Sequence, residues 1–391
     1  MHVSLLKKHN TQKRSILSLD TLCAFLLLCA AQPYFVWGLH IHNYLLYPCI
    51  LFYAIKYFKL KNAGLLLIIT LLSFYCAIQE SQIGLYLNYF SIPLLYIINK
   101  QRCALIFERM TLIFSFLVGL SVFFYLLFLL APSMLPSYQL PSPNPGKSFN
   151  YLAYPFFVVP NTGDFFRFHG LFDEAGANGS VTALFLFLNK YDLKKKNNLI
   201  LFLNGVLSFS FFFIVTSLFY FLLKQFKCSI KNILFVTLAY IAGLILYNET
   251  KDNEMISFFV WNRMEISDEG ELKGDNRSDK IFDDAYQRFI ESPDVLLGRG
   301  AGSAAKVASD TSSYKMLIFD YGIIWFLFFL FFWIAILHVD NKNVDKGFLA
   351  LLFIFLAMIY QRPGILNPFF SFAFMNTGAY QIMNSKFDKK K

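Results

Sequence analysis

The sequence predicts an all-α polytopic membrane protein of about 12 transmembrane segments with a large outer loop. Hydrophobic residues make up 57% of the chain, 48 of the 391 residues are phenylalanine, and only 15% are charged. A water-soluble fold of this length could not bury that much apolar surface. Runs of about 20 apolar residues recur, and each is long enough to cross a bilayer as a helix. The charged residues collect between these runs, so they mark the connecting segments.

All 391 residues are predicted to form one integral membrane domain. N-terminal scaffold spans occupy residues 16–131, and the spans that flank the predicted site occupy 171–247 and 314–383. Two polar outer loops separate these groups: 132–170, whose prolines favour extended or turn backbone, and 248–313. The first apolar run is expected to be retained, because it is long and has no clean signal-peptide cleavage site. The individual spans are predicted near residues 16–37, 41–57, 63–79, 82–99, 104–131, 175–190, 231–247, 314–337, 347–361 and 366–383.

The apolar run Asn198–Leu223 is predicted to form a short helical hairpin. A single crossing would carry Lys224 to the outer side and reverse the charge pattern of everything that follows. A turn near Gly205–Ser210 instead returns the chain to the side from which it came. About 26 residues are too few for two full crossings at ~1.5 Å per residue, so at least one arm is expected to be partial or re-entrant.

The net charge of +10 reports topology and does not indicate a nucleic-acid partner. Most lysines and arginines lie in alternate short connections and in the two tails, whereas most acids lie in the opposite set of loops. This asymmetry follows the positive-inside rule and places both termini in the cytoplasm. The six cysteines fall in spans or at their cytoplasmic ends, so the outer loops contain no disulfide framework.

The first candidate site lies at the outer start of the span near residues 175–190. The planar donor fork of Arg167 matches two phosphate oxygens at once, which suits a lipid diphosphate; the alternative is an interfacial arginine that reaches lipid headgroups. Gly170 allows a tight turn next to it. His169, Asp173 and Glu174 are candidates for a general base, although the two acids could equally favour the positive end of the following helix.

The second candidate site lies in the large outer loop. A helix is predicted over Ser278–Ser292, with Arg277 at its N-terminus, where backbone N–H groups would help to hold an anion. Arg288, three turns on, is interpreted as a solvated helix residue. The glycine-rich turn Leu297–Ser303, which contains Arg299, lacks the βαβ context of a nucleotide site, so nucleotide binding is rejected. The helix is predicted from apolar residues at helical spacing, namely Ile281, Phe282, Ala285, Tyr286 and Phe289.

The third candidate is Asp320, about two turns inside the predicted span 314–337. An ionisable side chain at that depth is costly, which makes it a functional candidate. The alternative is an interfacial residue that pairs with Lys315 or reaches water. No Asp/His cluster has the spacing of a metal site, so neither a metal nor a cofactor is predicted.

Taken in order, these segments resemble the O-antigen polymerase and O-antigen ligase superfamily of bacterial inner membranes. The resemblance covers roughly residues 164–335. The family turn Arg-x-x-Gly-x-Phe before a central helix is matched by Arg167, Gly170 and Phe172. An arginine ahead of Pro-x-x-x-Gly-x-Gly is matched, with one extra residue, by Arg277, Pro293, Gly298 and Gly300. A helix entry of the type His-Asn-x-Tyr-Leu that ends in Glu-x-Gly is matched by Tyr314, Asp320 and Gly322.

The resemblance implies a C-type glycosyltransferase-like fold and polymerisation of undecaprenyl-diphosphate-linked oligosaccharide repeats on the periplasmic face. Arg167 and Arg277 would neutralise the leaving diphosphate without a metal. Ligases carry a histidine where this chain has Thr311, which favours a polymerase. The implied partners are the lipid-linked oligosaccharide, membrane lipid and a candidate chain-length regulator protein. The implied substrate-binding residues are Gly170, Arg288, Arg299, Thr311 and Tyr314.

Two alternatives remain open at the level of sequence. The first is an O-antigen ligase or another lipid-linked glycan transferase. The second is a flippase or transporter of the repeat unit, which would place charged residues within its spans and have short loops. This chain concentrates its charge in two outer loops, which favours a transferase.

Overall fold

The helices of the computed structural model follow the apolar runs of the sequence. The structure describes residues 18–39, 41–80, 83–143, 149–162, 167–225, 245, 247–253, 257, 280–308, 313–341, 346–361 and 364–377, most of them helical. The predicted span near 231–247 lies almost entirely outside these residues. The helices are α1 Leu19–Ala30, α2 Ile41–Lys56, α3 Ala63–Gln79, α4 Ile83–Tyr96, α5 Lys100–Leu130, α6 Ala175–Leu188, α7 Lys196–Leu207, α8 Phe211–Gln225, α9 Lys280–Ile290, α10 Ser303–Val307, α11 Tyr314–Tyr321, α12 Ile323–Asn341, α13 Lys346–Gln361 and α14 Pro368–Met375.

The basic connections gather at one end of the helical bundle. The turn after α2 pairs with the turn before α5, because the backbone N–H of Lys59 donates to the carbonyl of Ile97 at 2.8 Å. The Arg102 guanidinium lies over the ring of Tyr57, 4.1 Å from its centroid. It also lies 3.7 Å from the carboxylate of Asp20, which is in the first turn of α1. We call this end the basic end; it carries Lys56, Lys59, Lys61, Lys100 and Arg102.

The opposite end, which we call the outer end, brings together the polar loops. Asn367, before α14, donates to the carbonyl of Ala30 at the end of α1, at 2.5 Å. Tyr34, just beyond α1, donates its backbone N–H to Leu171 at 2.7 Å. The Tyr75 hydroxyl, near the end of α3, donates to Leu297 at 2.7 Å. Both predicted outer loops therefore contribute to the same end of the bundle.

A small antiparallel sheet covers part of the outer end. It consists of β1 Tyr138–Leu140, β2 Tyr151–Tyr154 and β3 Phe157–Pro160, in the order β1-β2-β3. It packs on the outer end of α5, where Tyr125 and Phe157 have ring centroids 5.6 Å apart. The sequence predicted only extended or turn backbone here, so the all-α prediction is incomplete. The aromatic and β-branched residues between the prolines suit paired strands.

The predicted break in the run Asn198–Leu223 is present. Helices α7 and α8 are separated by a turn at residues 208–210, in which Phe209 has φ +46°. The rings of Phe202 and Phe213 lie 6.0 Å apart, a distance that a continuous helix would not allow for residues eleven positions apart. A Cβ on Gly205 would lie 2.1 Å from the Phe213 ring, so the close approach of the two arms requires glycine.

The predicted single span 314–337 is wrong in one respect, because Gly322 divides it into α11 and α12. Gly322 has φ +87°, and a Cβ there would lie 2.4 Å from the carbonyl oxygen of Leu296. Asp320 therefore lies in a separate short helix that precedes the apolar helix α12. It does not lie two turns inside a continuous span.

By length and composition, α5 is the one helix in the described residues that is both long and apolar enough to cross a membrane. The other apolar helices are shorter, and the prediction of about 12 crossings stays a prediction. Many large apolar side chains are nevertheless exposed along the helices, among them Leu71, Phe116 and Phe331, which are 59–65% exposed. The shorter apolar helices are Leu19–Ala30, Ala63–Gln79, Ala175–Leu188, Phe211–Leu223, Ile323–Val339 and Gly347–Gln361.

Candidate functional site

Arg167 lies at the outer end, between the turn that joins α7 to α8 and the start of α6. The next residue, Phe168, is fully buried, with its ring 4.6 Å from that of Tyr125 in α5. Its backbone N–H donates to the carbonyl of Leu207, the last residue of α7. Arg167 itself is half-buried. The buried phenylalanine thus fixes the backbone from which the guanidinium projects.

The residues after Arg167 form one compact turn. His169 Nδ1 lies 2.9 Å from the carbonyl oxygen of Asp173, and because a carbonyl only accepts, Nδ1 is the donor. In a neutral imidazole this leaves Nε2 as the basic nitrogen. Glu174 occupies the N-cap position of α6, and Asp173 is half-buried beside it. The turn therefore brings a cation, an imidazole and two carboxylates to the start of one helix.

Gly170 is required by the packing of this turn. Its φ is +57°, and a Cβ would lie 2.9 Å from the Nδ2 atom of Asn178. Its carbonyl accepts a 3.1 Å hydrogen bond from the N–H of Val158 in β3. Gly170 therefore joins the turn to the sheet on one side and to α6 on the other.

The glycine-rich turn Leu297–Ser303 packs against the break between α11 and α12. The N–H of Arg299 donates to Phe319 and that of Gly300 to Asp320, both at 2.9 Å. A Cβ on Gly298 would lie 2.4 Å from the Asp320 carbonyl oxygen. The second and third sequence motifs thus form one unit, and the glycines serve backbone packing.

The Asp320 carboxylate is buried inside this unit and binds backbone amides. Its two oxygens accept hydrogen bonds from the N–H groups of Gly302 at 3.0 Å and Ala304 at 2.7 Å, at the start of α10. Burial raises the pKa of Asp320 to about 6, while these amides and the charge of Lys306 oppose the rise. The suggested pairing of Asp320 with Lys315 is wrong, because Lys315 binds Asp283 at 2.7 Å.

Arg299 is engaged within the same unit. Its Nε donates to the Asp294 carboxylate at 3.1 Å, and its guanidinium lies 5.4 Å from the ring centroid of Phe289 and 5.2 Å from that of Phe319. These contacts give Arg299 a packing role next to α9. Arg288, on α9, is exposed, as expected of a solvated helix residue.

Helix α9 confirms the predicted helix, with Phe282 and Phe289 fully buried. Ile281, which was among the apolar residues that predicted the helix, is 67% exposed. In an α-helix Ile281 is rotated about 100° from Phe282, so it lies off the buried face that Phe282 shares with Phe289. Arg277 and Thr311 lie outside the described residues.

The outer end of α13 lies between the two halves of the candidate site. Its residue Tyr360 stacks on Tyr314 at the start of α11, with ring centroids 6.3 Å apart and planes 26° apart. The next residue, Gln361, has its Oε1 atom 3.5 Å from the hydroxyl of Ser180 in α6. Sequence reasoning singled out Tyr314 but missed Tyr360 and Gln361. The available signal was a polar residue at the end of the predicted span 347–361.

Within the described residues, no group of three or more His, Cys, Asp and Glu side chains is placed to hold a metal ion. Comparison with protein-family models, with curated proteins and with solved structures finds no match to this chain.

Proposed function

We propose that this protein is a multi-pass enzyme of the bacterial inner membrane that polymerises undecaprenyl-diphosphate-linked oligosaccharide repeats into O-antigen or a related surface polysaccharide. The two ends of its helical bundle would face the cytoplasm and the periplasm, with both termini cytoplasmic. The exposed apolar side chains along the helices would contact lipid, which is the usual reason for so large an exposed apolar surface.

One observation carries the proposal. Helix α6, which follows the Arg167 turn, and the Tyr314 helix flank the end of α13 at the outer end, while the basic connections gather at the other end. A lipid-linked substrate in the outer leaflet would meet Arg167 at the membrane surface. The positive-inside rule favours this orientation.

The chemistry proposed for this site is a glycosyl transfer. The bond between the donor's anomeric carbon and the diphosphate oxygen breaks, and a bond from that carbon to an acceptor hydroxyl oxygen forms. The hydroxyl proton passes to a general base, for which Nε2 of His169 and the carboxylates of Asp173 and Glu174 are the candidates. Arg167 and Arg277 would stabilise the charge that develops on the departing undecaprenyl diphosphate.

The test is deletion of the gene, followed by analysis of polysaccharide length and reintroduction of variants. Loss of polymerisation with ligation kept would leave surface lipid that carries a single repeat, as the proposal expects. Polymer that accumulates on the lipid carrier without reaching the surface would instead indicate a ligase. Failure of single lipid-linked repeats to reach the outer face would indicate a transporter.

Variants then test the site. Arg167→Ala and Arg277→Ala are each expected to abolish chain growth while the protein remains inserted and abundant. Arg288→Ala, at an exposed position on α9, is expected to be milder and serves as the matched control.

A further inference from the structure

The outer end of α13 carries two residues that none of the three sequence motifs contains. Tyr360 is 48% exposed, and its ring is stacked on that of Tyr314. Gln361 follows it and is half-buried against α6. Because α13 ends here, the backbone of these two residues is held by a helix while their side chains lie at the edge of the bundle.

The amide of Gln361 is only lightly held by its neighbour. The Ser180 hydroxyl has one proton, and its 2.8 Å hydrogen bond to the Gly176 carbonyl uses it. The 3.5 Å approach to Oε1 of Gln361 is therefore a weak second interaction. A carboxamide offers two donors and an acceptor oxygen, which is the combination that pairs with vicinal hydroxyl groups.

The aromatic pair supplies the other half of a sugar-binding arrangement. The Tyr314 ring packs against the Tyr360 ring with the planes 26° apart, and Tyr360 stays 48% exposed, so its ring presents apolar surface at the outer end. Small-ligand sites commonly combine such apolar surfaces with a few placed polar groups. A sugar ring has one apolar C–H face and an edge of hydroxyl groups, so it matches both components.

We propose that Tyr360 and Gln361 form the subsite that binds the acceptor sugar, with the ring of Tyr360 under the sugar face and the amide of Gln361 on its hydroxyl groups. This inference rests on the proposed function and adds the acceptor to it. The subsite contains only neutral side chains and lies at the outer end beside α6, the helix that follows the Arg167 turn. It therefore separates recognition of the acceptor sugar from recognition of the leaving group.

The competing interpretation is that Tyr360 is an ordinary interfacial tyrosine that anchors the helix in the membrane. Tyr44, in the first turn of α2 and 50% exposed, has that character and provides a control. Loss of a membrane anchor would lower the insertion and abundance of the protein, whereas loss of a binding subsite would raise the acceptor KM. The two interpretations therefore predict different measurements.

The experiment uses the full-length protein in lipid nanodiscs. The donor is the lipid-linked repeat extracted from a strain that lacks this gene. The acceptor is the same oligosaccharide released from its lipid by mild acid, which cannot act as donor because it has lost the diphosphate. Gln361→Ala and Tyr360→Ala are each expected to raise the acceptor KM about tenfold, the effect of losing one good contact, with the donor KM unchanged. Tyr44→Ala is expected to leave both values unchanged.

A second measurement does not depend on turnover. In Gln361→Cys, modification by a membrane-impermeant maleimide from the outer side should be slowed by the released oligosaccharide, with the wild-type protein as the background control. Unchanged acceptor KM in Tyr360→Ala and Gln361→Ala, or labelling that the oligosaccharide does not slow, would overturn the subsite. If Arg167→Ala is inactive in the same assay, the proposed function survives that result; if the wild-type protein makes no polymer, the proposed function itself fails.

Discussion

Asn178 and Asn204 hold each other by two reciprocal hydrogen bonds inside the bundle. Nδ2 of Asn178 lies 3.1 Å from Oδ1 of Asn204, and Nδ2 of Asn204 lies 2.9 Å from Oδ1 of Asn178. Both side chains are fully buried, and Asn204 also donates to Thr182 at 2.7 Å. The pair joins α6 to the first arm of the hairpin directly beside Gly170, so it links the hairpin to the Arg167 turn.

The amide pair predicts a measurable coupling between the two helices. Asn204→Ala would leave the buried Asn178 amide without its partner and should lower the free energy of unfolding by about 1–3 kcal/mol. Removing both amides should cost less than the sum of the single changes, with a coupling of about 0.5–1.5 kcal/mol. Thermal unfolding of the detergent-solubilised variants measures this. Asn197→Ala, on the same helix but half-exposed, is the control. Strict additivity would contradict the predicted coupling.

The packing of Gly322 against the segment that leads into the glycine-rich turn predicts a second effect on stability. Gly322→Ala should prevent the turn from packing, because the new Cβ would lie 2.4 Å from the Leu296 carbonyl oxygen. Gly302→Ala has a similar positive φ, +75°, but no atom within 4 Å of the added Cβ. The free energy of unfolding should therefore fall by only about 1 kcal/mol, the cost of holding a residue with a Cβ at a positive φ. Equal losses of unfolding temperature in the two variants would contradict a packing role for Gly322.

Much of the helical framework could be predicted because the apolar runs end sharply at charged or polar residues. The predicted spans 41–57 and 63–79 differ by at most one residue from α2 Ile41–Lys56 and α3 Ala63–Gln79. The hairpin break was also predictable, since one crossing would have inverted the charge rule. These features depend on local composition and on how charged residues are distributed along the chain, both of which a sequence displays directly.

The features that sequence reasoning missed depend on contacts between distant segments. Gly322 breaks a continuous apolar pattern only because Leu296 approaches it from another loop. Lys315 was a plausible partner for Asp320 along the chain, yet Asp283 takes that lysine and the amides of α10 take the carboxylate. Tyr360 gains significance only from its stacking on Tyr314. No periodicity in a single segment reveals such pairings.

The two arginines beside α9 should differ in their effect on stability. Arg299→Ala would remove an ion pair to Asp294 and the contacts with the Phe289 and Phe319 rings, with an expected loss of about 1 kcal/mol. Arg288→Ala should change stability by less than about 0.5 kcal/mol, because the side chain is exposed. Chemical unfolding of the two variants checks this. A greater loss for Arg288→Ala would contradict the packing assigned to Arg299.

Asp320 should make stability depend on pH in a defined direction. Its pKa in the folded protein, about 6, lies above the ordinary value of 3.8. Folding therefore favours the protonated form. The stabilisation that this gives the folded protein is complete below the ordinary pKa of 3.8 and is lost as the pH rises through about 6. The free energy of unfolding should fall by up to about 3 kcal/mol over this window. Asp320→Asn should flatten the dependence between about pH 4 and 6. A wild-type profile that is already flat there would refute the assignment.

The hairpin turn provides the most direct test of the proposed orientation. Phe209 lies in the turn between α7 and α8, and Lys194 is exposed just before α7 at the basic end. If the turn reaches the periplasmic surface, a cysteine at position 209 reacts with a membrane-impermeant maleimide added to intact cells, and a cysteine at position 194 reacts only after permeabilisation. A single crossing through Asn198–Leu223 would instead bury position 209 near the middle of the bilayer, where neither treatment labels it. Labelling of position 194 in intact cells would reverse the orientation and remove Arg167 from the periplasmic face, and with it the proposed reaction.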